Sequence, residues 1–422
     1  MSFTQATSSI YSSSLTARVS VHDSLSEPRG ILGLLLLLFV LACVFDPADM
    51  VLGVKVWLFL LCWVVTLFVC TSSRMQGSMP LGLLIYTALF ILVPVLSIAW
   101  FWLTNGSEHF EGFRMLKGYL LITLAPMLVL NRINLLPRLC AVLTVLALAI
   151  IGVVIAIKLI PELFAAMYLL GPSTGILFMD NRDYGAGVTE LQVYFVTSPM
   201  LVISIAYYFT RARSATKPLA RLRYWLLFWI SVLGILLAGT RRNIFIAFVF
   251  PIALSVIYSQ NRTRDVLFGL TVLAALAGGF FDELRAFFDP MEPSNSAKLS
   301  LLEGYGRIFS DPFSLIFGQG LGAYFHFERG YLYITEFTYL ELVRNFGLFG
   351  AMVMLGLLLF PVGHAFVANR SREAKAIALG FAFYLVVCAS NPGLFDSMGI
   401  LMLSVILANI YLPGGANKKS MP

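Results

Sequence analysis

Charge is what this chain has least of. Only 12% of its 422 residues are charged, where a soluble domain carries roughly 25%. The deficit runs along the whole chain, 59% of the residues are hydrophobic and mean hydropathy is +0.86. That excludes a soluble domain with an added anchor and indicates one membrane domain. Cysteine is scarce too. Cys43, Cys62, Cys70, Cys140 and Cys388 all lie in apolar runs and no CxxC occurs, so neither a disulfide nor a zinc site is expected. Four histidines, with no HExxH and no DxD, give no metal site either. Net charge is +7, but the basic residues sit in short loops between apolar runs. They are a topology signal, not a nucleic-acid patch. No internal repeat of the inverted-repeat transporter kind is visible.

A helix crosses the hydrocarbon in about 20 apolar residues. About twelve spans are predicted, at 31–45, 50–70, 80–102, 114–130, 138–160, 190–210, 224–239, 244–259, 266–281, 338–362, 376–390 and 400–412. The expected fold is an all-α polytopic membrane protein. Residues 1–30 read as a disordered cytoplasmic tail and not a cleaved signal peptide. Residues 31–412 form one transmembrane domain, and 413–422 a second cytoplasmic tail. With the N-terminus inside, seventeen Lys and Arg fall in inner segments and seven in outer ones. The positive-inside rule therefore puts both termini in the cytoplasm. Two outer loops are long, 161–189 and 282–337; the second is rich in acidic and aromatic residues.

Five constellations can carry chemistry. Arg241 and Arg242, in Gly239-Thr240-Arg241-Arg242-Asn243, break the charge bias at an outer turn. Guanidinium forks hold phosphate oxygens; alternatively, both side chains snorkel to lipid headgroups. Arg114 and Lys117 share a helix face and either extend a cationic pocket or anchor the interface. Gly304-Tyr305-Gly306-Arg307 and Phe317-Gly318-Gln319-Gly320-Leu321-Gly322 read as close-approach loops or plain turns. Glu336, Glu341 and Arg344 stand where the large loop re-enters the membrane. They offer a general base with an arginine partner, or a structural ion pair. Asn391-Pro392-Gly393-Leu394-Phe395-Asp396-Ser397 either lines the same cavity or simply breaks a helix. The loop aromatics either stack on sugar faces or bury one side of an interfacial helix.

Taken in order, the Gly-Thr-Arg turn, the long loop with Gly-Arg and Phe-Gly-x-Gly-x-Gly, and Tyr339-Leu340-Glu341-Leu342 ahead of Gly347-Leu348-Phe349-Gly350 resemble the O-antigen polymerase and ligase superfamily, of Wzy and WaaL type. The matching stretch runs from Thr240 to Gly350. The resemblance implies a GT-C-like, metal-independent, inverting glycosyltransferase of the bacterial inner membrane, with no cofactor. Its substrate would be an oligosaccharide on undecaprenyl diphosphate, used at the periplasmic face in lipopolysaccharide or exopolysaccharide biosynthesis. Arg241 or Arg242, together with Arg307, matches the family's diphosphate-holding arginines, with Arg114 and Lys117 as candidate extensions of that pocket. The ligase branch has a His-Asn pair just before the helix that follows the loop. Here Glu336-Phe337-Thr338-Tyr339 stands there, and His326 lies ten residues earlier. That favours a repeat-unit polymerase, with Glu336 preferred to Glu341 as base and His326 next. The alternatives are a ligase acting on lipid A–core, and a flippase or transporter of lipid-linked sugars. A chain-length regulator and membrane lipid are the other expected partners; nucleic acid is not.

Overall fold

The structure is a computed structural model that describes residues 30–71, 79–105, 111–183, 189–259, 293–327, 330–368 and 370–412, with a few residues of 263–271. The two predicted tails, most of the predicted span 266–281 and the first part of the 282–337 loop lie outside the described residues. The chain is mostly helical. Its helices are α1 (Ile31–Phe45), α2 (Lys55–Thr71), α3 (Leu81–Asn105), α4 (Glu111–Leu120), α5 (Leu124–Leu130), α6 (Leu136–Leu159), α7 (Glu162–Thr174), α8 (Leu201–Ser214), α9 (Pro218–Leu237), α10 (Arg241–Tyr258), α11 (Pro293–Phe309), α12 (Pro312–Phe317), α13 (Thr338–Val367), α14 (Arg372–Cys388) and α15 (Ser397–Tyr411). Five stretches among the described residues are long and apolar enough to cross a membrane: α3, α4 with α5, α6, α9 and α13. Shorter apolar helices, α1, α2, α10 and α15 among them, pack with these.

Burial sorts helices that hydropathy leaves alike. On α15, Ser397–Ala408 and Ile410 are all buried, so this helix is the centre of the bundle. It packs on α1, α5, α6, α13 and α14. By contrast, α2 exposes Trp57, Val64 and Phe68, and α9 exposes Leu222, Leu226 and Trp229. Large outward apolar faces of this kind suit lipid, not water.

The predicted loop at 161–189 and the span at 190–210 are both revised. The first contains α7. Its end pairs with the start of the second as an antiparallel hairpin, β1 (Leu177–Asp183) with β2 (Thr189–Phe195). The register sets Leu177 opposite Phe195 and Met179 opposite Val193, all four buried. Alternation with Val, Tyr and Phe made this stretch a strand, and helix α8 begins only after Pro199.

The segment before α13, predicted to lie on the outer side, is also folded. Asp311 caps α12 by accepting from the backbone N–H of Phe313 (3.2 Å) and Ser314 (3.0 Å). Strands β3 (Phe325–Phe327) and β4 (Gly330–Leu332) form a second hairpin. Leu301 and Tyr305 of α11 pack with Phe325 into a small core.

Loops predicted to share a side meet at one end of the bundle. At the inner-predicted end, Arg138 donates to Gly33 O (2.9 Å), Arg211 pairs with Glu373 (3.2 Å) and Arg372 lies over the Tyr258 ring. At the other end the outer-predicted loops surround a cavity.

Candidate functional site

The cavity has a volume of about 560 Å³. Its walls come from the α1–α2 loop, α4, the residues after β4, the start of α13 and the α14–α15 turn. Lys55, Arg114 and Lys117 supply positive charge; Asp49, Glu111, Glu341 and Asp396 supply negative charge. Tyr119, Leu121, Val196 and Phe395 give it apolar walls. Pockets that pair apolar walls with a few convergent polar groups are the usual form of a ligand site.

Each charged group is held by local structure. Asp46 closes the α1–α2 loop by accepting from the N–H groups of Leu52 (2.7 Å) and Met50 (3.0 Å). Burial alone would raise its pKa; the N–H donors of Leu52, Val51 and Met50 outweigh burial and hold it below the usual carboxylate range. That loop brings buried Lys55 to the cavity floor, where Nζ donates to Pro47 O (2.5 Å) and Ser397 Oγ (3.1 Å). Arg114 and Lys117 project from α4 and are exposed; Arg114 pairs loosely with Glu111 at 3.5 Å.

Asp396 is the N-cap of α15. One carboxylate oxygen, Oδ1, accepts from Met398 N (2.8 Å) and Gly399 N (3.3 Å). Burial pushes its pKa up to about 7, against the pull of those N–H donors and of Lys55. Its Oδ2 makes no hydrogen bond among the described residues. Asn345, also on the cavity wall, is 4% exposed, and its Oδ1 has no partner there either.

Glu341 is differently placed. Its Oε1 accepts from Tyr305 OH (2.8 Å) and Thr335 N (3.1 Å). Its Oε2 accepts from Arg344 Nε (3.0 Å), Arg344 Nη2 (2.7 Å) and Asn345 Nδ2 (3.2 Å). Arg344 is fully buried and also donates to Ala323 O and Tyr333 O, each at 2.8 Å. The pair ties the outer segment to the head of α13. Five donors commit both oxygens of this carboxylate to the network.

Among the other sequence candidates, Glu336 on the approach to α13, His326 on β3 and Arg307 on α11 are exposed and do not line the cavity. Arg242 donates to Val387 O (3.1 Å) and to Ser390 O. It caps the C-terminal end of α14, where a cation meets the helix dipole favourably. Thr240 caps α10 in turn, accepting from Asn243 N. The side chain of Arg241 lies outside what the structure describes. The sequence candidates that do meet in the cavity are Arg114, Lys117 and Glu341, together with Pro392, Phe395, Asp396 and Ser397 of the turn that was expected either to line it or to break a helix. Lys55, which sequence reasoning did not assign to the site, joins them. Its signal was a lysine opening an apolar run after an Asp-Pro turn.

The Gly-x-Gly-x-Gly stretch is a docking element. Helix α13 breaks at Gly347 (φ 67°, ψ 176°). The freed carbonyls of Arg344 and Asn345 accept from Gln319 N (2.6 Å) and Ser97 Oγ (2.5 Å). Ser97 Oγ itself accepts from Leu321 N (2.8 Å). Broken helices survive at membrane depth only where protein satisfies the released groups. Gly318 (φ 78°) sits directly against Gly347, and a Cβ on either would collide with the other's backbone surroundings.

Comparison with known proteins finds no matching family model and no matching curated sequence.

Proposed function

We propose that this protein polymerises oligosaccharide repeat units carried on undecaprenyl diphosphate, at the periplasmic face of a bacterial inner membrane. The observation that supports this best is the cavity, where three cations and a carboxylate with a free oxygen share one chamber at the outer-predicted end. Lys55, Arg114 and Lys117 hold the donor's diphosphate. The tail lies along the apolar helix faces. Asp396 Oδ2 accepts the proton of an acceptor sugar hydroxyl. The hydroxyl oxygen of the acceptor bonds to the anomeric carbon as the carbon–oxygen bond to the diphosphate breaks. The products are a glycan one unit longer with inverted anomeric configuration, a protonated Asp396 and undecaprenyl diphosphate. The cations stabilise the charge that grows on the leaving group, a term that is commonly the largest in such catalysis.

The test is glycan analysis of a deletion strain complemented with variants. Deletion should leave single repeat units on the acceptor, and the wild-type gene should restore polymer. Arg114→Ala with Lys117→Ala should fail to restore polymer while inserting normally. Unattached polymer accumulating on the carrier lipid would identify a ligase instead, and carrier-linked units trapped on the cytoplasmic side a flippase.

A further inference from the structure

The Tyr324–Tyr333 pair lies beside the cavity and takes no part in the chemistry proposed above. The β3–β4 register pairs Phe325 with Leu332, so Tyr324 and Tyr333 are the next cross-strand pair beyond the ladder. Their ring centroids are 4.4 Å apart with planes inclined at 36°, and Tyr333 OH donates to Tyr324 OH (2.5 Å). Arg344 fixes the backbone on both sides. Its Nη1 holds the carbonyl of Ala323, just before Tyr324, and its Nη2 holds the carbonyl of Tyr333. A buried guanidinium thus keeps two neighbouring strand ends in place where pairing stops. Tyr333 lines the cavity with Arg114 and Thr335, while Tyr324 is 39% exposed beside it. Strand alternation puts His326, also exposed, on the same face as Tyr324.

We infer that Tyr324 and Tyr333 form a carbohydrate subsite at the rim of the cavity, stacking on a pyranose ring of a glycan whose reacting end lies inside. A tyrosine offers an apolar face to the C–H groups of a sugar ring and a hydroxyl to its polar edge. The two rings are pre-ordered by their own hydrogen bond and by the carbonyls that Arg344 holds, so little freedom is lost on binding. Tyr333 lines the chamber and its neighbour Tyr324 is exposed outside it, so a glycan too long for the cavity can cross the pair. A lipid tail would need a continuous aliphatic surface, and this rim presents phenol hydroxyls, Arg114 and Glu111 instead. The identity of the glycan rests on the proposed function; the stacking site does not.

The probe is the repeat-unit oligosaccharide released by mild acid from the host's own lipid-linked pool and freed of diphosphate and lipid. Saturation-transfer NMR on the full chain in nanodiscs should show contact to its ring protons. Tyr324→Ala and Tyr333→Ala should each weaken binding roughly 3- to 10-fold, and Tyr324→Phe should largely restore it. Tyr324 is exposed, so its variants should fold. No transfer to the wild type, or equal binding by wild type and both Ala variants, would overturn the subsite. Binding of undecaprenyl diphosphate, measured separately, should not respond to the tyrosine changes. Its absence with sugar contact intact would remove the polymerase reading and leave the subsite standing.

Discussion

Glu341 and Asp396 share a cavity wall but have opposite environments. Glu341 is surrounded by donors; Asp396 keeps one oxygen free and is pushed up to about 7 by burial. Asp396→Asn should therefore lower turnover roughly 10²–10⁴-fold and leave diphosphate binding intact, while Glu336→Gln should turn over like the wild type. The group must be ionised to accept a proton. kcat/KM in proteoliposomes should then fall by about tenfold per pH unit below a pH of about 7. A profile flat through that pH would remove Asp396 as the base. Arg344→Ala should act on stability instead. It strands a buried carboxylate and two buried carbonyls, at a cost of roughly 3–5 kcal/mol. The expected readout is a lowered unfolding temperature in detergent; an unchanged one would show that the pair does not hold the outer segment.

At the scale of elements, the break in α13 decides how the outer segment sits. A side chain at Gly347 needs a positive φ and meets the backbone of Ile316 and Phe317. Gly347→Ala should cost about 1–3 kcal/mol from backbone strain alone, and the clash adds to it. Limited proteolysis should then cut within α11–α12 faster than in the wild type. Gly306→Ala is the control, since a Cβ there meets nothing. Equal protection in the two variants would mean that the glycine-rich stretch does not dock the segment. The central position of α15 is a second property of elements. Its sequence is apolar all round, a pattern shared by a buried core helix and a lipid-facing one.

At the scale of the whole molecule, the loops assigned to one side by charge counting also converge in space. The α1–α2 loop, the head of α4, the residues before α13 and the α14–α15 turn come from distant parts of the chain and line one cavity. Alkaline phosphatase fused after Ser310 should be active, and a fusion at Ala215 should be silent. The opposite pattern would invert the topology and place the cavity in the cytoplasm.

Hydropathy alone determined that this is a chain of apolar helices, because lipid demands the same composition of every spanning segment whatever its neighbours. The charge bias likewise sorted the loops into two sets without reference to packing. The glycine-rich and charged motifs marked the outer-predicted segment as the place of interest. What they did not decide was which charges meet in the cavity. Arg242 looks like a phosphate ligand in sequence, yet it is committed to carbonyls that the end of α14 leaves open, and Arg344 is committed to Glu341 and to carbonyls at the ends of β3 and β4. Asp396 belongs in sequence to a turn that either lines the cavity or breaks a helix, and it becomes a candidate base only because α15 is central and carries its N-terminus to the cavity. The use of a polar side chain depends on which backbone groups remain unsatisfied around it. That is settled where helices end and break against one another, so only the tertiary structure decided it.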